Sequence, residues 1–287
     1  MGGGFLDDPL VVRRFEEAEE ILRFPLLRLV REGPEEELHL TLWAQPALFV
    51  LGYAVAEKLL ERGVVPRGLL GHSLGEITAL AVAGVFPFST GVELTHLRGK
   101  AMQEAVPPEE SAMVAVMGRD LESIKEILKD WDRVYIANWN HPEQIVLSGR
   151  KSDLDPLLPY LREKGVRKII PLKVSAPFHT PYMEGAERAL RSFLEGVAIA
   201  PPRYPVYSNL TAQPYPDDPR KIREWIALQV VHPVMWVEEI RNLPSDWQGI
   251  EFPPAGVLKG LIERISPSAR VVPLRTPEDL RALGIES

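Results

Sequence analysis

Val64-Val65-Pro66-Arg67-Gly68-Leu69-Leu70-Gly71-His72-Ser73-Leu74-Gly75-Glu76-Ile77-Thr78-Ala79-Leu80-Ala81-Val82-Ala83-Gly84 is the stretch that decides the fold. An apolar run enters Gly-x-Ser-x-Gly, and a second apolar run at helical spacing leaves it. The order reads as strand, sharp turn and helix, with Ser73 at the apex, the pattern of a nucleophile elbow. The two glycines let the backbone bend tightly and leave room beside the serine. Its hydroxyl then stands clear of the sheet at a helix N-terminus, where backbone N–H groups can stabilise an oxyanion. Gly84 suits the left-handed end of that helix. In a chain with 21 glycines the same five residues could be a plain strand-to-helix turn with a capping serine. The strand before and the helix after favour a nucleophile.

Composition bounds the rest. The chain has 287 residues, enough for one large domain or a large domain with a smaller insert. Hydrophobic content of 45% and charged content of 25% are ordinary globular values. No apolar run is long enough to span a bilayer, and Met1-Gly2-Gly3-Gly4-Phe5-Leu6-Asp7-Asp8 lacks the features of a signal peptide. The expectation is a soluble cytoplasmic protein with no membrane partner. With no cysteine, disulfides, thiolate metal sites and a cysteine nucleophile are excluded. Six scattered histidines show no metal-ligand spacing, so no metal site is expected. A net charge of −7 argues against nucleic acid as a bulk partner, though not against a local basic patch.

Helical spacing runs through 9–31, Gln45–Leu60 and Ser89–Glu104, with Ser89 or Thr90 as the expected cap of the last. The texture then changes. Ala112–Met117 reads as a strand, Leu121–Trp131 as an amphipathic helix, and Val134–Ala137 and Gln144–Gly149 as strands around an Asn-rich turn. Leu154–Lys164 reads as a helix and Lys168–Leu172 as a strand. That βαββαβ order is a ferredoxin-like unit. It divides the chain into a large α/β domain of residues 1–110 and 175–287 and an inserted subdomain of residues 111–174. Helices follow at Ala186–Leu194, Ile222–Val231, Val234–Ile240 and Gly256–Ile265, and a strand and turn at Val206–Asn209.

Several segments occur together. They are Gln45-Pro46-Ala47-Leu48, Gly71-His72-Ser73-Leu74-Gly75-Glu76, Arg98-Gly99-Lys100-Ala101-Met102-Gln103, Asn140-His141-Pro142-Glu143-Gln144-Ile145-Val146-Leu147-Ser148-Gly149, Ser175-Ala176-Pro177-Phe178-His179 and Gln229-Val230-Val231-His232-Pro233-Val234. In this order the set resembles the acyltransferase family of fatty acid and polyketide synthesis, and within it the malonyl-CoA:acyl carrier protein transacylases. The resemblance implies a hydrolase-like α/β domain with a parallel sheet and an inserted ferredoxin-like subdomain. It implies malonyl transfer from malonyl-CoA to the phosphopantetheine thiol of acyl carrier protein by a monomer. No cofactor is implied beyond these substrates.

The resemblance also distributes roles. Ser73 is the nucleophile, His179 its base, and Leu74 N–H an oxyanion donor. Gln229 orients His179 through its backbone carbonyl, while its side chain has no assigned part. His232 is structural or at the site edge. Arg98 holds the free malonyl carboxylate, which calls for a planar, always-charged donor. Leu74 and Phe178 are the side chains associated with malonyl rather than methylmalonyl selection. Gln45 and Asn140 are either substrate neighbours or structural polar groups. Arg162, Lys164, Arg167, Lys168 and Lys173 are either a solvated face or a steering patch for an acidic carrier protein, with Arg167, Lys168 and Lys173 as the contacts.

Two departures stand out. The family opens with a core strand and a glycine-rich loop that supplies a second oxyanion donor, and Met1–Leu6 resembles the segment after it. Either residue 1 is not the natural start, or Gly2–Gly4 rebuild the site in part, or activity is impaired. Phe252-Pro253-Pro254-Ala255-Gly256 replaces a Gly-Pro-Gly turn. Two other functions stay open: a serine thioesterase or esterase, which needs an acid behind His179, and an impaired carrier-binding relative.

Overall fold

A computed structural model describes residues 2–284. After a short 3₁₀ turn come α1 (Pro9–Leu22), α2 (Leu26–Glu32), α3 (Glu35–Leu38) and α4 (Thr41–Glu61). The apolar spacing across 9–31 therefore belongs to two helices. Arg23 turns left-handed at φ 52°, and Pro25 disfavours helical geometry at Phe24, so the chain breaks between them. Asp8 starts α1 by accepting a hydrogen bond from Leu10 N–H, with Pro9 in the first turn.

The elbow leads into α5 (Leu74–Val82), and α6 (Phe88–Gln103) follows. α6 begins ahead of the expected Ser89 or Thr90 cap. Pro87 precedes its first turn, and no side chain caps it. Phe88, Val92, Thr95, Arg98 and Met102 form its buried stripe at helical spacing, so Arg98 is carried on the face that points inward. A Cβ at Gly99 would lie 2.4 Å from the Thr41 carbonyl oxygen, so glycine is what lets α6 approach the start of α4. That approach brings Gln45 against Arg98. Gly99→Ala is therefore expected to cost about 1–3 kcal/mol through overpacking, read as a lowered thermal midpoint.

β1 (Ser111–Met117), α7 (Leu121–Leu128), β2 (Val134–His141), β3 (Gln144–Arg150), α8 (Lys151–Glu163) and β4 (Lys168–Pro171) follow. The strands form an antiparallel sheet in the order β2-β3-β1-β4, the ferredoxin-like arrangement. Alternation along β1 sorts its two faces. Val114 and Val116 join Ile124 and Ile127 of α7 and Leu154, Leu157 and Leu161 of α8. Each such sealed side chain contributes about 1.5–3 kcal/mol. Met113 and Ala115 face the other way, where Phe178 packs on them. Asn138 and Asn140 lie within β2 rather than in the turn, which is Pro142-Glu143.

Then come α9 (Glu184–Glu195), α10 (Pro219–Leu228), α11 (Trp236–Arg241), β5 (Gln248–Glu251), α12 (Val257–Ile265), β6 (Arg270–Pro273) and α13 (Pro277–Ala282). Helix α11 starts two residues later than the apolar pattern predicts, because Val234 is used as an extra partner of β2. Its N–H donates to Ala137 O at 2.9 Å, and its carbonyl accepts from Trp139 N–H at 2.9 Å. Parallel pairing in the large α/β part joins β5 to β6 and bridges Leu69 to Val206. The stretch 64–70 thus pairs through Leu69 and is otherwise irregular. At the unusual Phe252–Gly256 turn, Glu251 reaches forward to accept from Leu258 N–H and Lys259 N–H at 2.8 and 3.1 Å, which anchors the start of α12. Among the described residues, no helix is long and apolar enough to cross a membrane.

Candidate active site

The elbow is built on close approach. A Cβ at Gly71 would sit 1.9 Å from the carbonyl carbon of Gly75, whereas one at Gly75 would meet open space. Gly71 therefore permits the bend, and Gly75 leaves room beside the serine. Ser73 adopts φ 52° and ψ −106°, a sparsely populated conformation that costs about 1–3 kcal/mol. Its own N–H is occupied, donating to Asn209 Oδ1 at 2.7 Å. The next N–H, that of Leu74, belongs to the first turn of α5 and has no intrahelical acceptor. It is the donor the elbow can offer to an oxyanion.

His179 follows the segment after β4 and also has positive φ, 58°. Its Nδ1 lies 3.0 Å from the Gln229 carbonyl oxygen and 3.1 Å from that of His232. Both can only accept, so Nδ1 carries the proton and Nε2 the lone pair. Nε2 stands 2.8 Å from Ser73 Oγ, which places the serine hydroxyl as donor to a free base. Burial pushes the His179 pKa down to about 3, and the Arg98 charge pushes the same way. A lowered pKa keeps the imidazole neutral as pH falls. Its ring proton resonances are expected to show no titration step between pH 8 and 5, where a free imidazole titrates near 6.5. Proton NMR across that range checks this.

Among the described residues, no carboxylate bonds the His179 ring, whose partners are Ser73 Oγ and two backbone carbonyls. Glu76, the acid nearest the elbow in sequence, instead accepts from Asn209 N–H at 2.6 Å and from the Tyr215 hydroxyl. Burial raises its pKa to about 7. The acid that a serine hydrolase triad would place behind His179 is replaced by two backbone carbonyls.

Arg98 is 1% exposed. Its Nη1 donates to Gln45 Oε1 at 2.7 Å, and its Nη2 to Gln229 Oε1 at 2.7 Å and to Ser73 Oγ at 3.0 Å. All three acceptors are neutral, and Nε is buried without a partner. Burial lowers the arginine pKa to about 10, with Glu76 opposing. The guanidinium is therefore a buried cation beside Ser73 Oγ that has donors to spare for an anion.

The structure brings Ser73, Leu74, Gln45, Arg98, His179 and Gln229 together. The Gln229 side chain, left without a part by the sequence, also donates to the Ser73 carbonyl at 2.9 Å. His232 contributes only its carbonyl to the site, while its exposed ring donates to Leu228 O. Asn140 is held by His72 Nε2 at 2.8 Å, and Phe178 is half-buried between the main core and the β1 face. Arg167, Lys168 and Lys173 are exposed, with Arg167 reaching Glu143 at 3.4 Å.

Sequence reasoning passed over His72, Glu76, Asn209 and Tyr215. An acid inside the apolar run 74–83 was a signal for Glu76. A polar residue at a strand's end was one for Asn209.

The acyl transferase domain profile matches residues 1–280. The malonyl CoA-acyl carrier protein transacylase of Bacillus subtilis is 37% identical over 278 residues, covering 95% of this chain and 87% of the relative. The solved structure of the Coxiella burnetii malonyl CoA-acyl carrier protein transacylase superposes with a TM-score of 0.93 at 33% identity, covering 97% of this chain and 90% of that one. A malonyl-transacylase solved in complex with a type II polyketide acyl-carrier protein superposes with a TM-score of 0.90 at 35% identity, covering 96% and 90%. The chain belongs to the acyl transferase family.

Proposed function

We propose that the protein moves a malonyl group from malonyl-CoA to the phosphopantetheine thiol of acyl carrier protein, through a malonyl ester on Ser73. The observation that carries this reading is the Arg98 guanidinium, 3.0 Å from Ser73 Oγ and held by neutral acceptors. A malonyl ester carries its free carboxylate one methylene beyond the ester carbonyl. That tail meets a buried cation whose direct partners are all neutral, and a bidentate pair rewards a carboxylate where a methyl end gains nothing.

His179 Nε2 takes the Ser73 proton as Oγ attacks the thioester carbon. Leu74 N–H receives the oxyanion. The C–S bond breaks, and His179 returns its proton to the CoA thiolate. The phosphopantetheine thiol then enters, His179 takes its proton, and the sulfur attacks the ester carbonyl. Ser73 Oγ leaves and is reprotonated. The two carbonyls at Nδ1 stabilise the imidazolium formed in each half-reaction. The substrates supply the chemistry, with no further cofactor.

In this reading residues 1–110 and 175–287 form the catalytic unit, and 111–174 the inserted ferredoxin-like subdomain, whose Asn140 bonds His72 beside Ser73. Phe178 narrows the space beside the acyl chain, and Asn140 lines it. Arg167, Lys168 and Lys173 steer an acidic carrier protein, supported by their exposure just before β4, at its first residue, and on the segment that runs on to His179. One chain supplies nucleophile, base and arginine, so a monomer suffices for the reaction.

Incubation with malonyl-CoA alone, followed by intact mass, tests the proposal. One malonyl adduct is expected, absent in Ser73→Ala and discharged by acyl carrier protein. Hydrolysed malonyl-CoA with no adduct would mean a thioesterase.

A further inference from the structure

Two buried side chains hold the backbone at Ser73: Gln229 bonds its carbonyl, and Asn209 bonds its N–H and the Gly71 carbonyl on the other side of the bend. The Asn209 carboxamide lies beneath the elbow, fully buried. Its Oδ1 accepts from Ser73 N–H at 2.7 Å and from Gln229 Nε2 at 3.4 Å. Its Nδ2 donates to Gly71 O at 2.8 Å and to Glu239 Oε1 at 2.9 Å. Both sides of the bend, Gly71 and Ser73, are thus tied to the same amide. Acceptors on one side and donors on the other determine which way it is turned.

Ser73 does not hold φ 52° unaided. A few buried hydrogen bonds are of the same order as the strain of such a residue. Without them the backbone can relax and carry Oγ away from His179 and Arg98. We propose that Asn209 is a positioning residue for the acyl-transfer nucleophile, and that Glu239 acts through it by fixing the orientation of its amide. This rests on Ser73 being the nucleophile.

Glu239 fits that part. It is fully buried on α11, its Oε1 is bonded to Asn209, and its Oε2 has no partner. Burial, together with nearby Glu76, raises its pKa well above the ordinary carboxylate value, which favours the protonated form. A neutral carboxyl and a carboxamide are equivalent at Oε1, as both present a carbonyl acceptor. An apolar side chain presents none.

The test uses the whole protein and two reactions of Ser73. One is malonylation by malonyl-CoA, followed by rapid-mixing intact mass. The other is phosphonylation by a small fluorophosphonate, which needs the positioned serine but not malonyl recognition. Asn209→Ala is expected to slow both by about 10²-fold per folded molecule, the scale of an ångström of misplacement, with KM for malonyl-CoA unchanged. Glu239→Gln is expected to keep the parental rates, and Glu239→Leu to slow both. A residue that only stabilised the fold would lower the thermal midpoint and leave the rate per folded molecule alone. That result in Asn209→Ala overturns the proposal. Should that variant not fold, equal parental rates in Glu239→Gln and Glu239→Leu overturn it, and a slow Leu beside a normal Gln supports it. If the parent phosphonylates but never malonylates, the function reading fails, and the phosphonylation series still decides the positioning role.

Discussion

Arg98→Ala is expected to slow malonyl loading of Ser73 by about 10²–10³-fold while leaving acetyl loading far less affected. Truncating one partner of a buried charge pair costs about 2–5 kcal/mol, and each 1.4 kcal/mol is a factor of about ten. The loss has two sources. The malonyl carboxylate would enter a buried pocket with nothing to pair it, and the Gln45 and Gln229 side-chain oxygens would lose the donor that holds them. Acetyl-CoA carries no charge into that pocket, so the ratio of malonyl to acetyl loading collapses. Arg98→Lys is expected to recover only part of the rate, because a single ammonium cannot span Gln45, Gln229 and the substrate from one planar fork. Loading rates from malonyl-CoA and acetyl-CoA, measured side by side, check this. An equal fall for both acyl groups would mean that Arg98 supports the serine rather than the carboxylate.

His179→Ala is expected to lower loading by about 10²–10⁴-fold, the usual contribution of a general base. Arg98 also touches Ser73 Oγ, but it donates and cannot take the proton. The position adds a second, structural expectation. His179 sits at φ 58°, where any residue with a Cβ is strained and glycine is not. Glycine normally destabilises by enlarging the unfolded ensemble. Here His179→Gly should unfold at a higher temperature than His179→Ala, with both equally inactive. The reverse order in a thermal melt would show that the strain of the positive φ is smaller than glycine's entropic cost.

Much of this was legible in the sequence because it is local. The elbow is written in six consecutive residues, and Gly71 is needed for a contact four positions away. The βαββαβ subdomain is written in alternation and helical spacing, each read within a short window. Arg98 was readable through the Arg98–Gln103 segment that resembles the acyltransferase family, and α6 carries it on its buried stripe. What failed was also instructive. Apolar spacing continued across Arg23–Pro25 although the backbone there could not stay helical. Val234 fitted a helical pattern but was claimed by the edge of β2. The hydrogen bonds that make the site a site are long-range. Ser73 N–H meets Asn209 across 136 positions, and the carbonyls behind His179 belong to a 3₁₀ turn and the residue after it, some fifty positions on. No periodicity encodes such meetings, and a backbone acceptor leaves no side-chain mark to find.

The neutral company kept by Arg98 bears on turnover. The malonyl group begins and ends as a thioester, so the exchange runs almost level, and an intermediate bound too well would stall between the two thiols. An arginine clamped by a resident carboxylate would demand that one ion pair be torn apart to make another. Gln45 and Gln229 are neutral, so no charges need separate within the protein when the malonyl tail arrives or departs. Desolvation of the guanidinium, incurred once at folding, offsets part of its attraction for that tail. The pocket resets itself, and the reaction can be driven in either direction by whichever thiol is in excess.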